Sequence, residues 1–443
     1  MFEYVKLKNF KSFDDVELNL LDRRNNPKKL ILIYGENGIG KSNIASAFFM
    51  LAESIRTMNV RDIMESLLSE NSHDLNNNEK LKKYLRMRYK DTETLIKENK
   101  LVSSDGPMYM EFGFNIEGKK GKYIFETNNY QIIRERLEFT LIKRRGVCFD
   151  ISENNFFLSD KLFSNKEAYS TIKDACLKFW GKHSMLSIIF HEVSDKSDQY
   201  IHDQISNNFN DFLSFISRIS CKITFGGGRE KGIIGLPREI LGEYDQGTIP
   251  AKNEKILDKA EKMLTNLFKL TNRNIKKAYY KRTEIDDEIH YELMLSEQIA
   301  GRIRDISFAL ESTGTQSITQ QLPFMLVAAK GSTAIIDEFD TGIHDLLVKG
   351  LVTSLYKSIE GQLILTTHNT LLMESNLPKD SIYIINESSV GKKEIQCILY
   401  YNNKIGGNNN IRNQYLLGKY RGIPSEININ FHELLQIINK SNI

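Results

Sequence analysis

Cysteine is scarce in this chain, with four residues in 443, at Cys148, Cys176, Cys221 and Cys397. They stand far apart and form no CxxC pair and no Cys/His pattern. That spacing argues against a zinc site and a disulfide framework and suits a reducing cytoplasm. Long apolar runs are missing too. No stretch approaches the roughly 20 residues a membrane helix needs, and Met1-Phe2-Glu3-Tyr4-Val5-Lys6 is charged where a signal peptide would be apolar. No sign of charge dominates: 60 Lys and Arg stand against 57 Asp and Glu, a net of +3, so composition alone supplies no strong field for nucleic acid. There is no internal repeat and no sustained heptad, which argues against long coiled-coil arms. What remains is a cytosolic, globular balance, 41% hydrophobic and 26% charged, with length for two or three domain-sized units.

The pattern along the chain is mixed α/β. Phe2 to Leu20 alternates like an antiparallel hairpin, and Leu30 to Tyr34 reads as a buried strand. Asn43 to Met58 has helical spacing, and residues 59 to 104 look helical and charged, with a break at Asn76-Asn77-Asn78. A strand pair is expected at Met108–Phe114 and Lys122–Phe125, followed by mostly helical sequence from about 155 to 270. Strand-like sequence resumes at Ile275–Tyr280 and Ile289–Met294, and a second α/β stretch runs from about 302 onward.

Against this ordinary background, Gly35-Glu36-Asn37-Gly38-Ile39-Gly40-Lys41-Ser42 fits GxxxxGK[ST] in full, with a strand before it and a helix after it. In such a loop the backbone N–H groups from Gly35 through Asn37, Gly38 and Gly40 turn inward around phosphate oxygens. The helix start at Lys41, Ser42 and Asn43 adds a favourable dipole. Lys41 is expected to reach the β- and γ-phosphates, and the Ser42 hydroxyl to ligate Mg²⁺. Thr333-Ala334-Ile335-Ile336 ends in Asp337-Glu338, which places Asp337 near the metal and Glu338 where it can polarise an attacking water. Strands often end in exposed acids, so this pair gains its meaning from the loop before it. Thr366-Thr367-His368 follows the next strand-like run, where a histidine can contact the γ-phosphate. Glu311-Ser312-Thr313-Gly314-Thr315-Gln316 lies before the helix leading into the acidic strand, and as a bare string it is also a good capped helix start.

The order of these motifs, with Asp340-Thr341-Gly342 between the acids and His368, resembles the ABC-type ATPase heads of the RecF and SMC group. It is most similar to the compact AAA-type ATPases of prokaryotic abortive-infection and antiphage modules: AbiL-like, retron- and PARIS-associated, and overcoming-lysogenization-defect relatives. Leu7-Lys8-Asn9-Phe10-Lys11-Ser12-Phe13 looks like the opening strand of that group, and Tyr415 to Pro424 resembles a C-terminal GrYGxxP segment. The signature departs from the group in ending on Gln316 where a basic residue is usual, and the strands near 108 to 125 offer no unambiguous Q-loop glutamine.

The resemblance implies an α/β fold, an ABC-type P-loop ATPase head with an antiparallel β subdomain and a mostly helical insertion. It divides the chain into an N-terminal lobe at 1–150, the insertion at 151–274 and a C-terminal lobe at 275–443. ATP and Mg²⁺ are the implied cofactors, and a homodimer or higher oligomer the implied assembly. In it Lys41, Ser42, Asp337, Glu338 and His368 of one copy face Ser312, Gly314 and Thr315 of another.

Only 75 residues follow His368 (443 − 368), without the DxD pair of a Toprim nuclease. A toxic activity is therefore expected on a separate effector protein. Lys80 to Arg88, Lys276 to Arg282 and Lys143-Arg144-Arg145 are either solvated faces or tracks for a nucleic-acid backbone. Gly226-Gly227-Gly228-Arg229 lacks a GK[ST] and reads as a loop. Three uses follow: a defence ATPase governing a separate nuclease or toxin, a RecF- or SMC-like DNA-maintenance ATPase, and an ATP-dependent assembly scaffold.

Overall fold

Leu30 to Tyr34 is apolar without a break, and all five residues are buried. Such a strand needs a neighbour on each edge and cover on both faces, the environment of an interior strand in a parallel sheet. The computed structural model, which describes residues 1–70, 90–194, 204–224, 231–237, 240–401, 410–423 and 429–440, supplies both. The strand is fifth in a seven-stranded sheet ordered Lys231–Ile234, Ile219–Thr224, Thr333–Ile336, Gln362–Thr366, Leu30–Tyr34, Ile382–Glu387, Lys393–Cys397. The inner five strands run parallel, and the two edge strands are antiparallel to their neighbours.

Successive side chains of a strand face opposite ways, and this sheet divides two cores accordingly. Ile31 and Ile33 join the core of the helix Lys41–Ser54, with Ile44, Phe48 and Leu51. Leu30, Leu32 and Tyr34 join the core of the helix Thr313–Ala329, with Ile318, Leu322 and Phe324.

A second seven-stranded sheet, antiparallel throughout, covers the first core. Its order is Phe13–Asn19, Phe2–Phe10, Met108–Ile116, Lys119–Thr127, Ile132–Thr140, Arg145–Ser152, Asn155–Leu158. Phe2, Phe48 and Phe112 interlock beneath it with ring centroids 5.1 to 5.9 Å apart. Each ring contributes about 1.5–3 kcal/mol when fully buried. The two sheets are also tied by the buried Gln362 side chain, whose amide accepts from the Phe2 N–H at 2.8 Å and donates to the carbonyls of Phe2 and Lys28. A third, four-stranded sheet contains Gln246–Pro250, Ile275–Ile285, Glu288–Ile299 and Arg302–Ser307. Its Ala278, Tyr280, Leu293 and Leu295 share a core with Leu257, Leu264 and Phe268 of the helix Lys255–Thr271.

The expected hairpin, the strand pair after residue 108 and the strands after 275 and 289 are all present. The architecture is the α/β head with an antiparallel β subdomain that the motifs implied. The mostly helical insertion expected at 151–274 also carries strands that join the sheets of the head. Helices do occupy Lys166–Phe179, Met185–Ser194, Asn207–Ser217 and Lys255–Thr271. The strand Ile219–Thr224 between them, however, lies inside the central sheet, parallel to Thr333–Ile336. Asn155–Leu158 closes the antiparallel sheet, and Gln246–Pro250 pairs with Glu288–Glu292. The segment is threaded through the head because the acidic strand needs a partner on its second edge. The helix expected at Asn43–Met58 ends at Ser54, and a second begins at Thr57. The clusters at Lys80–Arg88 and Gly226–Arg229, and Pro424, lie outside the described residues.

Candidate nucleotide site

The central strands deliver their motifs to one edge of the sheet. Leu30–Tyr34 runs directly into the glycine loop, and Gly40 caps the helix Lys41–Ser54 with φ of +114°. A side chain at Gly40 would place its Cβ 2.9 Å from the Phe13 ring, so both conformation and space require glycine there. Asn37 and Gly38 are exposed at the loop's tip. Asn43 donates to the Ser12 hydroxyl at 2.7 Å, which fastens the helix start to the N-terminal hairpin. Ser42, half-buried, stands in the first turn.

Lys41 is buried, and its ammonium donates to the Gly35 carbonyl at 2.9 Å and the Glu36 carbonyl at 2.8 Å. The ammonium is thus held over the loop rather than out in water. Burial lowers its proton affinity, opposed by the charges of Asp337, Glu338, Asp340 and Glu36. Lys41 therefore shares one field with all three acids that follow the acidic strand.

Two of those acids, Asp337 and Glu338, are organised by one hydroxyl. Thr366 Oγ donates to Asp337 Oδ1 at 2.5 Å and accepts the Glu338 backbone N–H at 2.8 Å. Asp337 is buried, and among the described residues its Oδ2 has no hydrogen-bond partner. A buried carboxylate oxygen without a partner is costly unless something cationic completes it. The site fits a hard cation on that test. Among the described residues no cluster of three or more His, Cys, Asp or Glu side chains is placed to hold a metal by itself. Mg²⁺ takes one or two protein oxygens and completes its shell with water and phosphate. Asp337 and Ser42 are the residues that would hold it. Glu338 is exposed and has φ of +51°, a conformation that costs a non-glycine residue about 1–2 kcal/mol. The strained turn leaves Asp337 inside and Glu338 facing out.

Asp340 accepts the His368 backbone N–H at 3.0 Å, joining the loop after the acidic strand to the loop after the strand Gln362–Thr366. The His368 proton affinity is lowered by partial burial and then by the Lys41 charge, against Asp340, Glu338 and Asp337. That direction favours the neutral ring, which is suited to hydrogen bonding.

Ser312 caps the helix Thr313–Ala329, accepting from the Thr315 N–H at 3.2 Å and lying 2.8 Å from the Thr315 hydroxyl. Ser312 and Thr313 are exposed. Gly314 rests on the Gly342 carbonyl, and Ser317 donates to the Thr341 carbonyl at 2.7 Å, so the signature is docked on the Asp340–Gly342 loop. Gln316, the unusual signature residue, donates to the carbonyls of Ala309 and Glu311 at 3.1 Å and folds the preceding turn onto the helix.

The structure thus gathers Lys41, Asp337, Glu338 and His368, with Ser42 in the same loop, and sets Ser312, Gly314 and Thr315 on an exposed helix start. Two residues of this neighbourhood escape a reading of the sequence. Thr366 stands there only as the neighbour of a histidine. Half-buried Lys11 feels the Asp337 charge across the fold, and its signal lies in Asn9-Phe10-Lys11-Ser12-Phe13, which reads only as a strand opening. Of the basic clusters, Arg282 is consumed by Glu254, Asp258 and Glu261, and Arg145 pairs with Glu138. Among the described residues no helix is long and apolar enough to cross a membrane.

Solved structures similar to this chain include three SMC heads. An SMC head bound to the C-winged helix domain of ScpA is 14% identical, with 89% of this chain and 97% of that one covered and a TM-score of 0.43. The SMC head domain from Thermotoga maritima is 15% identical over 90% and 98%, with a TM-score of 0.38. An SMC head with an extended coiled coil from Pyrococcus furiosus, bound to the C-terminal domain of ScpA, is 14% identical over 95% and 99%, with a TM-score of 0.40. No curated protein matches the chain. One family model does match, described as "AAA domain, putative AbiEii toxin, Type IV TA system", over residues 30–374. That span runs from the P-loop strand past His368 and covers well over half of the chain, which therefore belongs to this AAA-domain family of ATP-binding ATPases.

Proposed function

We propose that the chain hydrolyses ATP with Mg²⁺, pairs with a second copy through its nucleotide sites, and serves as the sensor or regulator of an antiphage system whose effector is a separate nuclease or toxin. The observation that carries the enzymatic part is the Thr366 hydroxyl. It holds one oxygen of buried Asp337, leaves the other without a partner among the described residues, and turns Glu338 outward beside Lys41. Magnesium, when bound, would neutralise charge on the β- and γ-phosphate oxygens. Lys41 leaves the Gly35 and Glu36 carbonyls for those phosphates, and the inward-turned loop N–H groups donate to the same phosphate oxygens. Glu338 accepts a proton from water in line with the γ-phosphate. Neutral His368 orients that water or the γ-phosphate oxygen. Ser312 and the N–H groups of Gly314 and Thr315, from a second copy, complete the phosphate's outer side at a helix N-terminus. The defence role draws its support from the family description, which speaks of a putative toxin in a type IV toxin–antitoxin system.

A DNA-maintenance ATPase is the second reading, favoured by Lys277 and Lys281 around Tyr279 on the strand Ile275–Ile285 of the third sheet. Phosphate release by the full chain, with and without DNA, tests both readings. Glu338→Gln is expected to slow turnover by roughly a hundredfold or more while ATP binding persists. Turnover unchanged by that substitution would remove Glu338 from the mechanism and favour an assembly scaffold. Strong stimulation by DNA would favour the maintenance role.

A further inference from the structure

Residues 410–423 have no part in the site as described, yet they touch its frame in two places. Asn410 caps the helix Ile411–Leu416, and Arg412 lies in its first turn. The half-buried Arg412 guanidinium donates to Thr370 Oγ at 3.0 Å and to Glu374 Oε1 at 3.2 Å. Both acceptors belong to the single turn Thr370–Glu374, which starts one residue after His368-Asn369. Farther along the same helix, the buried Tyr415 ring meets Tyr34, the residue before Gly35, edge to face with centroids 6.0 Å apart. The Tyr415 hydroxyl donates to the Gly422 carbonyl at 2.6 Å and senses the Glu36 charge.

The segment is fastened to the sheet itself. A side chain at Gly422 would put its Cβ 2.4 Å from Ile384 Cγ2, so the backbone there lies flat on the strand Ile382–Glu387. Ile384 is in register with Tyr34. The side-chain amide of Asn386, on the same strand, meets the carbonyls of Tyr420 and Arg421 and the Tyr401 hydroxyl. One short strap therefore presses on the root of the P-loop with Tyr415 and, with Arg412, on the turn that follows His368-Asn369. In-line attack tolerates little error between the groups holding the phosphate and those placing the water. A link between these two places sets their spacing.

We propose that Arg412 and Tyr415 are positioning residues for ATP turnover, Arg412 placing His368 through Thr370 and Glu374 and Tyr415 placing the P-loop through Tyr34. The proposal rests on the ATPase reading above. Phosphate release by the purified full chain over a range of Mg-ATP concentrations tests it, together with thermal unfolding of each variant. Arg412→Ala lowers kcat on the order of tenfold with KM unchanged, and Arg412→Lys, able to reach one acceptor, recovers part of that loss. Tyr415→Ala raises KM on the order of tenfold with kcat retained. Tyr415→Phe, which keeps the ring on Tyr34, stays within about twofold of wild type. A wild-type chain without turnover removes the ATPase reading and this proposal with it. A wild type that turns over beside an Arg412→Ala chain of unchanged kcat overturns this proposal alone. Variants whose kcat and KM both worsen in step with their melting temperatures overturn it as well.

Discussion

The P-loop side and the signature side of the nucleotide site are finished to different degrees. On the P-loop side several polar groups already have protein partners: Lys41 on two loop carbonyls, Asp337 Oδ1 and the Glu338 N–H on one hydroxyl, the His368 N–H on Asp340. The signature side is firm underneath, where Gly314 meets Gly342 and Ser317 holds Thr341, and bare on top, where Ser312 and Thr313 are exposed at the start of a 17-residue helix. On the proposed reading, one side is pre-organised to receive a triphosphate. The other presents a positive helix end to an anion that arrives from outside. On the proposed reading that anion is carried by the P-loop side of a second copy.

The sharpest break comes from removing the charge that unifies the closed side. Lys41→Ala is expected to weaken ATP binding by roughly a hundredfold or more, about 3 kcal/mol, and to abolish turnover, measurable by titration and phosphate release. The open side calls for a substitution that separates cap from clamp. Ser312→Asp keeps a good N-cap for the Thr315 N–H but directs a carboxylate at an incoming phosphate. It should leave the melting temperature near wild type, leave ATP binding to a single chain intact and cut turnover by at least about tenfold. A residue that merely caps its helix would show no such loss. Mixing Lys41→Ala with Ser312→Asp chains should restore some turnover, because a mixed pair contains one site with both halves sound.

The smallest effect lies away from both halves. Fully buried Glu135 accepts hydrogen bonds from the Tyr123 hydroxyl, Trp180 Nε1 and the Met185 N–H. Burial nevertheless pushes its carboxyl up to about 7 from 4.5. A carboxyl raised in the folded state contributes stability below its unfolded value that is lost as pH rises through the folded one. Denaturation midpoints are therefore expected to fall between about pH 4.5 and 7. Glu135→Gln should flatten that slope and cost about 1–3 kcal/mol by turning an amide N–H toward donors. Its ATP affinity should match wild type.

The closed side is largely legible in the sequence because its parts are local strings. The P-loop, the Asp337-Glu338 pair and Thr366-Thr367-His368 each carry their chemistry within a few residues, and the strands beneath them are apolar runs. Thr366 as the common support of two acids is not legible, since it acts across two strands whose pairing no string reveals. Lys11 and the strap at 410–423 are hidden for the same reason. The strand Ile219–Thr224 escapes notice on other grounds. Ser220 and Lys222 alternate with Ile219, Cys221 and Ile223, all buried, so it reads as an amphipathic stretch between helices and not as an interior strand. Its polar residues are accommodated inside, with the Ser220 hydroxyl donating to the Gly235 carbonyl at 2.5 Å.

The order of the central sheet also sets a timetable for synthesis. The P-loop strand Leu30–Tyr34 is made long before its two neighbours in the sheet, Gln362–Thr366 and Ile382–Glu387. Until those strands emerge, Leu30–Tyr34 has no edge to pair with, and pairings so distant in sequence form slowly. Interrupted translation products that stop before residue 360 therefore carry an intact GxxxxGKS string and no formed cradle for phosphate. A nascent or truncated chain is expected not to engage ATP ahead of the finished molecule, and the apolar strand it leaves exposed is the kind of surface chaperones and proteases engage.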